Sequence, residues 1–126
     1  MTATVLIVDD EETARNFISE ALSDAGYEAI EAGTLKEANK AIDKGVGDII
    51  LLDVMLPDGS GLSLLDRLAM ENPRPPVILI TAFGEIDTAV DAMKKGALDF
   101  LQKPLDLDRL LQAIERSSEV VGLRRE

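Results

Sequence analysis

The sequence predicts a doubly wound α/β domain in which five parallel strands alternate with five helices. Two observations carry that prediction. Short aliphatic runs (Val5-Leu6-Ile7-Val8, Ile49-Ile50-Leu51-Leu52, Val77-Ile78-Leu79-Ile80) begin and end abruptly, as strands buried on both faces of a parallel sheet do. Between them lie stretches with apolar residues at helical spacing, the right-handed crossovers that parallel strands require. A third observation concerns function. These runs end in Asp9-Asp10, Asp53 and Thr81, and the carboxyl edge of an open α/β sheet is where ligands bind.

Thr4-Val5-Leu6-Ile7-Val8 reads as the first strand, ending in Asp9-Asp10-Glu11-Glu12. From Glu12, Ala14, Phe17, Ile18, Ala21, Leu22 and Ala25 recur at helical spacing until Gly26 stops the helix. Tyr27 to Glu31 alternates like an edge strand. Thr34 caps a second helix that runs through Ile42, with Glu37 at the capping-box position and Leu35, Ala38, Ala41 and Ile42 facing inward.

The organising strand is Asp48-Ile49-Ile50-Leu51-Leu52-Asp53, four large aliphatic residues between two carboxylates. Pro57 cannot donate to a ladder, and Gly59 and Gly61 permit positive φ, so the chain turns away sharply after Asp53. Leu62, Leu64, Leu65, Leu68 and Met70 mark a third helix, closed by Asn72-Pro73. Val77 to Ile80 follows as a buried strand. A helix from about Glu85 to Lys95 carries Ile86, Ala89, Val90 and Met93 on one side and stops at Gly96. Leu98 to Leu101 is the last strand, then Gln102-Lys103-Pro104. A final helix from Asp106 carries Leu107, Leu110, Leu111, Ile114 and Val121.

The chain has 126 residues, 46% hydrophobic and 29% charged, the size and composition of one globular domain. No apolar run approaches the ~18 residues a membrane helix needs. The N-terminus lacks the basic and apolar regions of a signal peptide, so a cytoplasmic location is expected. With no cysteine and no histidine, disulfides, thiolate or imidazole metal sites and Ser-His or Cys-His nucleophile pairs are excluded. A formal charge of −11 opposes nucleic-acid binding by this segment. The available chemistry belongs to carboxylates, hydroxyls and amines.

If the strands are parallel, Asp9, Asp10, Asp53, Thr81 and Lys103 share one rim. Singly, each has an ordinary explanation: an Asp after a strand caps a helix, and a lone lysine is solvated. Together they suit phosphoryl transfer to a carboxylate. Crowded acidic side chains call for a hard divalent cation such as magnesium, and an Asp can act as a covalent nucleophile. A cation and a hydroxyl, Lys103 and Thr81, can stabilise the transferring group. A nucleotide-binding fold would need a glycine-rich loop after the first strand, where this chain has Asp-Asp-Glu-Glu.

The ordered set Val8-Asp9-Asp10-Glu11, Leu52-Asp53-Val54-Met55-Leu56-Pro57-Asp58-Gly59-Ser60-Gly61, Ile80-Thr81-Ala82 and Phe100-Leu101-Gln102-Lys103-Pro104 resembles the receiver domain of bacterial two-component response regulators. The resemblance covers residues 4 to 116 and implies a CheY-like (flavodoxin-like) sheet. It also implies that Asp53 accepts a phosphoryl group from a sensor histidine kinase. Asp10 and Asp53 would ligate Mg2+ directly, Asp9 mainly through water, and Met55 through its backbone carbonyl. Lys103, aimed inward by a cis Lys103-Pro104 bond, would pair with the acyl phosphate, and Thr81 would swing in to hydrogen-bond it. Ala82 fits a position kept small to admit the donor. Phe100 stands where the family often has tyrosine and would act as a switch rotamer without a hydroxyl.

Such a domain is a switch, and it catalyses only its own phosphotransfer and dephosphorylation. The face of the fourth helix, fifth strand and fifth helix, or the C-terminal linker, would dock partners or a second protomer. The stretch from Thr81 to Val90, with Gly96-Ala97-Leu98-Asp99-Phe100, is similar to receivers of the nitrogen-regulation class of enhancer-binding transcriptional activators. That implies a receiver over 1–116 and the start of a helical linker or tail over 117–126. Two alternatives carry marks of their own. An aspartyl phosphatase would need an Asp two residues past Asp53, where Met55 stands. A stand-alone or phosphate-independent interaction module would be marked by a lost Asp, Thr or Lys, and none is missing.

Overall fold

The structure, a computed structural model, describes residues 3–82 and 85–125. Five strands form one parallel sheet: β1 (Thr4–Val8), β2 (Glu28–Ala32), β3 (Ile49–Asp53), β4 (Val77–Thr81) and β5 (Asp99–Gln102), in the order β2-β1-β3-β4-β5. The helices are α1 (Glu12–Asp24), α2 (Leu35–Asp43), α3 (Leu62–Leu68), α4 (Ile86–Lys94) and α5 (Leu107–Arg125). The expected doubly wound sheet is present, with most element ends within a residue or two of those read from the sequence.

Alternation within the strands divides the core in two. Leu6, Val8, Ile50, Leu52 and Leu79 pack with Ala38, Leu64, Leu65 and Leu68 of α2 and α3. Val5, Ile7, Leu51, Ile78 and Ile80 pack on the other face with Ile18 and Leu22 of α1 and Leu110 and Ile114 of α5. All five residues of β3 are buried, and each large aliphatic among them contributes about 1.5–3 kcal/mol by leaving water. The edge strand β2 keeps Glu28 and Glu31 exposed, a charge pattern that discourages further strand pairing.

Several apolar positions of the helical patterns do not face the core. Phe17 is 53% exposed, and Leu107 also faces solvent. Met70 lies beyond the end of α3 and is exposed, so that helix does not reach it. In α4 the buried residues are Ala89 and Ala92, whereas Ile86, Val90 and Met93 are exposed. This helix has two apolar stripes. The small alanine stripe lets it approach the sheet closely, which leaves the bulkier stripe outside.

Gly59 has φ +147°, but Gly61 does not need a positive φ. Gly61 is required by proximity instead, because a Cβ there would lie 2.4 Å from Asp53 O. The α2 capping box is modified. Thr34 Oγ1 accepts from Glu37 N at 3.1 Å, while Glu37 Oε1 accepts from Gly33 N at 2.7 Å rather than from the cap residue itself.

The Lys103-Pro104 bond is cis, as expected, and so is Asn72-Pro73. α5 runs unbroken through Gly122 to Arg125. Ser117 is buried within it, its hydroxyl donating to Ala113 O at 3.0 Å, and Val121 packs on the core. The segment from 117 is therefore helically continuous with the domain. Phe83 and Gly84 lie outside the described residues.

Candidate functional site

Register explains why the polar residues meet. Val8 pairs with Leu52, Asp53 with Ile80, and Thr81 with Gln102, so β1, β3, β4 and β5 finish on one rim. Asp9, Asp53 and Thr81 sit where the apolar runs stop, and all three are buried. Lys103 follows β5 directly, and its backbone N–H donates to Thr81 O at 2.8 Å.

Lys103 Nζ is 3.0 Å from Asp53 Oδ2 and 3.7 Å from Asp9 Oδ2. The second Asp53 oxygen, Oδ1, accepts from Met55 N at 3.0 Å. Asp9 Oδ1 accepts from Glu11 N at 2.9 Å, whereas Oδ2 is buried with no hydrogen-bond partner. Asp10 is exposed at the same rim. Ligand atoms from Asp9, Asp10 and Asp53 all lie within 4.8 Å of one another. At an effective dielectric of about 20, two like charges ~4 Å apart repel by about 4 kcal/mol.

The charges respond as this crowding requires. Burial pushes the Asp9 carboxyl above the usual carboxylate range, and the Asp53 and Asp10 charges add to that; the Glu11 N–H and Lys103 oppose it incompletely. Burial pulls Lys103 down, but its hydrogen bond to Asp53 and the charges of Asp53, Asp9 and Glu11 together outweigh that and raise it. Lys103 therefore stays an ammonium.

The cluster fits a hard divalent cation on two grounds. Its donors are all oxygen, and one buried carboxylate oxygen lacks a hydrogen bond that a ligated ion would replace. The Met55 side chain is 67% exposed. Thr81 Oγ1 donates to Leu101 O over 3.5 Å, a weak bond at the limit of the range. Phe100 is partly buried and packs against the core face that holds α2 and α3.

The family signature of the response regulator receiver domain matches residues 5–115. The chain belongs to that family. The receiver is 42% identical over 109 residues to the response regulator protein PilR of Pseudomonas aeruginosa, covering 86% of this chain and 24% of PilR. It is 41% identical to the nitrogen assimilation regulatory protein NtrX of Azorhizobium caulinodans, covering 100% of this chain and 28% of that protein. Among solved structures, NtrX from Brucella abortus superposes with a TM-score of 0.91 at 38% identity, over 99% of this chain and 29% of the other. The signal receiver domain of a putative LuxO repressor protein from Vibrio parahaemolyticus gives 0.91 at 32% identity, over 99% and 96%. The chain thus spans about a quarter of the length of the curated relatives it matches.

Three features of the receiver's rim were not read from the sequence. Arg15 Nη1 donates to Asp9 O at 2.6 Å and so braces the end of β1. Exposed Phe17 joins Ile18, Pro104 and Leu105 in a groove of about 380 Å³ that also reaches Asp9 and Lys103. Asp58 bonds to the start of α2. The helical period groups Phe17 with Ile18 and Leu22 without telling that it is exposed, and Pro57-Asp58-Gly59 reads only as a turn. A phenylalanine beside acidic strand ends was the available signal for the first of these two.

Proposed function

We propose that this receiver is a phosphoacceptor switch in which Asp53 takes a phosphoryl group from a sensor histidine kinase. The observation that carries the reading is the Lys103 ammonium 3.0 Å from Asp53 Oδ2, on the rim that also gathers Asp9 and Asp10. One Asp53 oxygen forms the new O–P bond as the donor's N–P bond breaks, giving an acyl phosphate; the donor ring, protonated at its other nitrogen, leaves as neutral imidazole. No base is needed, since a carboxylate is an anion at neutral pH. Lys103 neutralises charge on the transferred group from one side, and the Thr81 hydroxyl turns from Leu101 O to donate to it. Asp10 and Asp53 would hold Mg2+ directly, Asp9 chiefly through water, with the Met55 carbonyl completing the protein's ligands. When bound, the ion supplies charge neutralisation at the phosphoryl oxygens. The apolar groove of Phe17, Ile18, Pro104 and Leu105, continuous with Asp9 and Lys103, suits a helix of the donor protein.

The output reading rests on the relatives, whose names include a nitrogen assimilation regulator and the DNA-binding transcriptional regulator NtrC. We read residues 1–116 as the receiver and 117–126 as the start of a linker, through which the switch controls transcription. The exposed Ile86, Val90 and Met93 stripe supports docking of a second copy through the α4–β5–α5 face, with Phe100 as the relay behind it. No described helix is long and apolar enough to cross a membrane, and a cytoplasmic site of action fits the family.

The test is intact mass after incubation with acetyl phosphate, with Mg2+ or with chelator, on wild type and Asp53→Asn. One phosphoryl adduct that requires Mg2+ and is absent in the variant is expected. An adduct that survives Asp53→Asn would overturn the assignment.

A further inference from the structure

After Asp53 the chain makes a two-residue antiparallel hairpin, with Met55 opposite Ser60 and Leu56 opposite Gly59, so Pro57 and Asp58 form its tip. A ribbon this short has little stability of its own. Its base is held by Met55 N to Asp53 Oδ1, Gly61 N to Val54 O at 2.6 Å, Val54 N to Ile80 O at 3.3 Å, and at Ser60 by Leu62 N to the hydroxyl at 3.2 Å and Ser63 Oγ to the carbonyl at 2.9 Å. Burial holds it weakly, because Met55, Pro57, Asp58, Gly59 and Ser60 are exposed and only Leu56 is covered. The tip has one other anchor. Asp58 Oδ1 accepts from Leu35 N at 2.8 Å and Oδ2 from Lys36 N at 3.1 Å, the first two N–H groups of α2.

The contact is charge-assisted, with a carboxylate on the positive end of a helix. The Leu35 N–H holds the Asp58 carboxyl below the usual carboxylate range. The approach is close, since a Cβ at Gly59 would lie 2.9 Å from Leu35 Cδ1. Among the described residues, Asp58 is the only side chain of the Pro57–Gly59 tip that bonds outside the hairpin.

We propose that Asp58 is a positioning residue for the divalent-cation site: by pinning the hairpin tip to the first turn of α2, it holds Met55 in place beside Asp53. This rests on the reading of the rim as a Mg2+ site. Asp58 itself bonds to α2, so it acts through the backbone between Asp53 and Gly61 rather than as a ligand. A cap of α2 alone would be a purely structural role, and Thr34 separates the two. Its hydroxyl accepts from Glu37 N at the same helix end, and it makes no bond to the hairpin.

The experiment titrates Mg2+ alone into the whole chain, followed by amide NMR shifts of Val54, Met55 and Leu56, alongside thermal unfolding. Asp58→Ala is expected to weaken Mg2+ binding by about tenfold, the low end of what losing an outer-shell partner costs. Asp58→Asn, which keeps the shape and one acceptor oxygen, is expected to fall between it and wild type. It also serves if the alanine variant does not fold. Thr34→Ala is expected to lose thermal stability yet bind Mg2+ like wild type. Wild-type affinity in both Asp58 variants, or equal weakening by Thr34→Ala, would overturn the proposal. A wild type that binds no Mg2+ would overturn the reading of the site, and this proposal with it.

Discussion

Lys103 and Asp53 form an ion pair at 3.0 Å across fifty residues of sequence, and the same ammonium lies 3.7 Å from Asp9. One cation thus faces two buried carboxylates and would compete with any metal for them. Lys103→Met is expected to slow phosphorylation by acetyl phosphate by about 10²–10³-fold, the range for losing one stabilising donor. The same variant is expected to bind Mg2+ more tightly. Time-resolved intact mass and a Mg2+ titration check the two arms, and weaker Mg2+ binding would contradict the competition.

Asp9 costs stability when no metal is present, because its Oδ2 is buried without a hydrogen bond. Asp9→Asn, which removes a buried charge that Asp53 and Asp10 repel, is expected to raise metal-free stability. The sign with pH follows from the raised carboxyl. A carboxyl whose pKa rises on folding penalises the folded state at pH values above the raised value. That penalty fades as pH falls toward the ordinary carboxylate range. The gap between wild type and variant in urea denaturation should therefore be widest at neutral pH and close in acid.

Thr81 is tied to Leu101 O by a 3.5 Å hydrogen bond, which is easily broken. Thr81→Ala is expected to cost less than about 1 kcal/mol of stability and to keep the phosphoryl adduct. The conformational response should be lost. Amide exchange across α4, compared before and after phosphorylation, should change in wild type and stay fixed in the variant.

The two apolar stripes of α4 should separate cleanly in stability measurements. Val90→Ser, on the exposed stripe, is expected to change stability by less than about 0.5 kcal/mol. Ala92→Val, against the sheet, is expected to cost about 1–3 kcal/mol through overpacking. If the bulkier stripe docks a second copy, Val90→Ser should also shift sedimentation toward monomer while leaving the fold intact.

The strand ends were legible because a strand buried on both faces must be apolar throughout, so Asp9, Asp53 and Thr81 announce where each run stops. Parallel pairing then brings them together without any fine detail of packing. The faces of single helices were less legible. Periodicity groups Ile86, Ala89, Val90 and Met93 on one side of α4, but does not tell that Ala89 is buried with Ala92 while the three bulkier residues stay exposed. Gly61 was read as a conformational need and proved to be a matter of space beside Asp53 O. The Asp58 contact with Leu35 and Lys36 joins segments more than twenty residues apart and has no local signature.

The span between Asp53 and Lys103 also bears on the life of the chain during synthesis. β3, which ends in Asp53, is complete long before β5 exists, and β5 joins the sheet only by pairing with β4. Until then the carboxylates stand without their ammonium, and the two long-range contacts of Lys103, with Asp53 and Asp9, are the last of the rim to close. A nascent, nicked or half-folded chain therefore displays the acidic residues without the chemistry. The rim's charge balance is completed only when Lys103, fifty residues after Asp53, takes its place, with α5 still to follow.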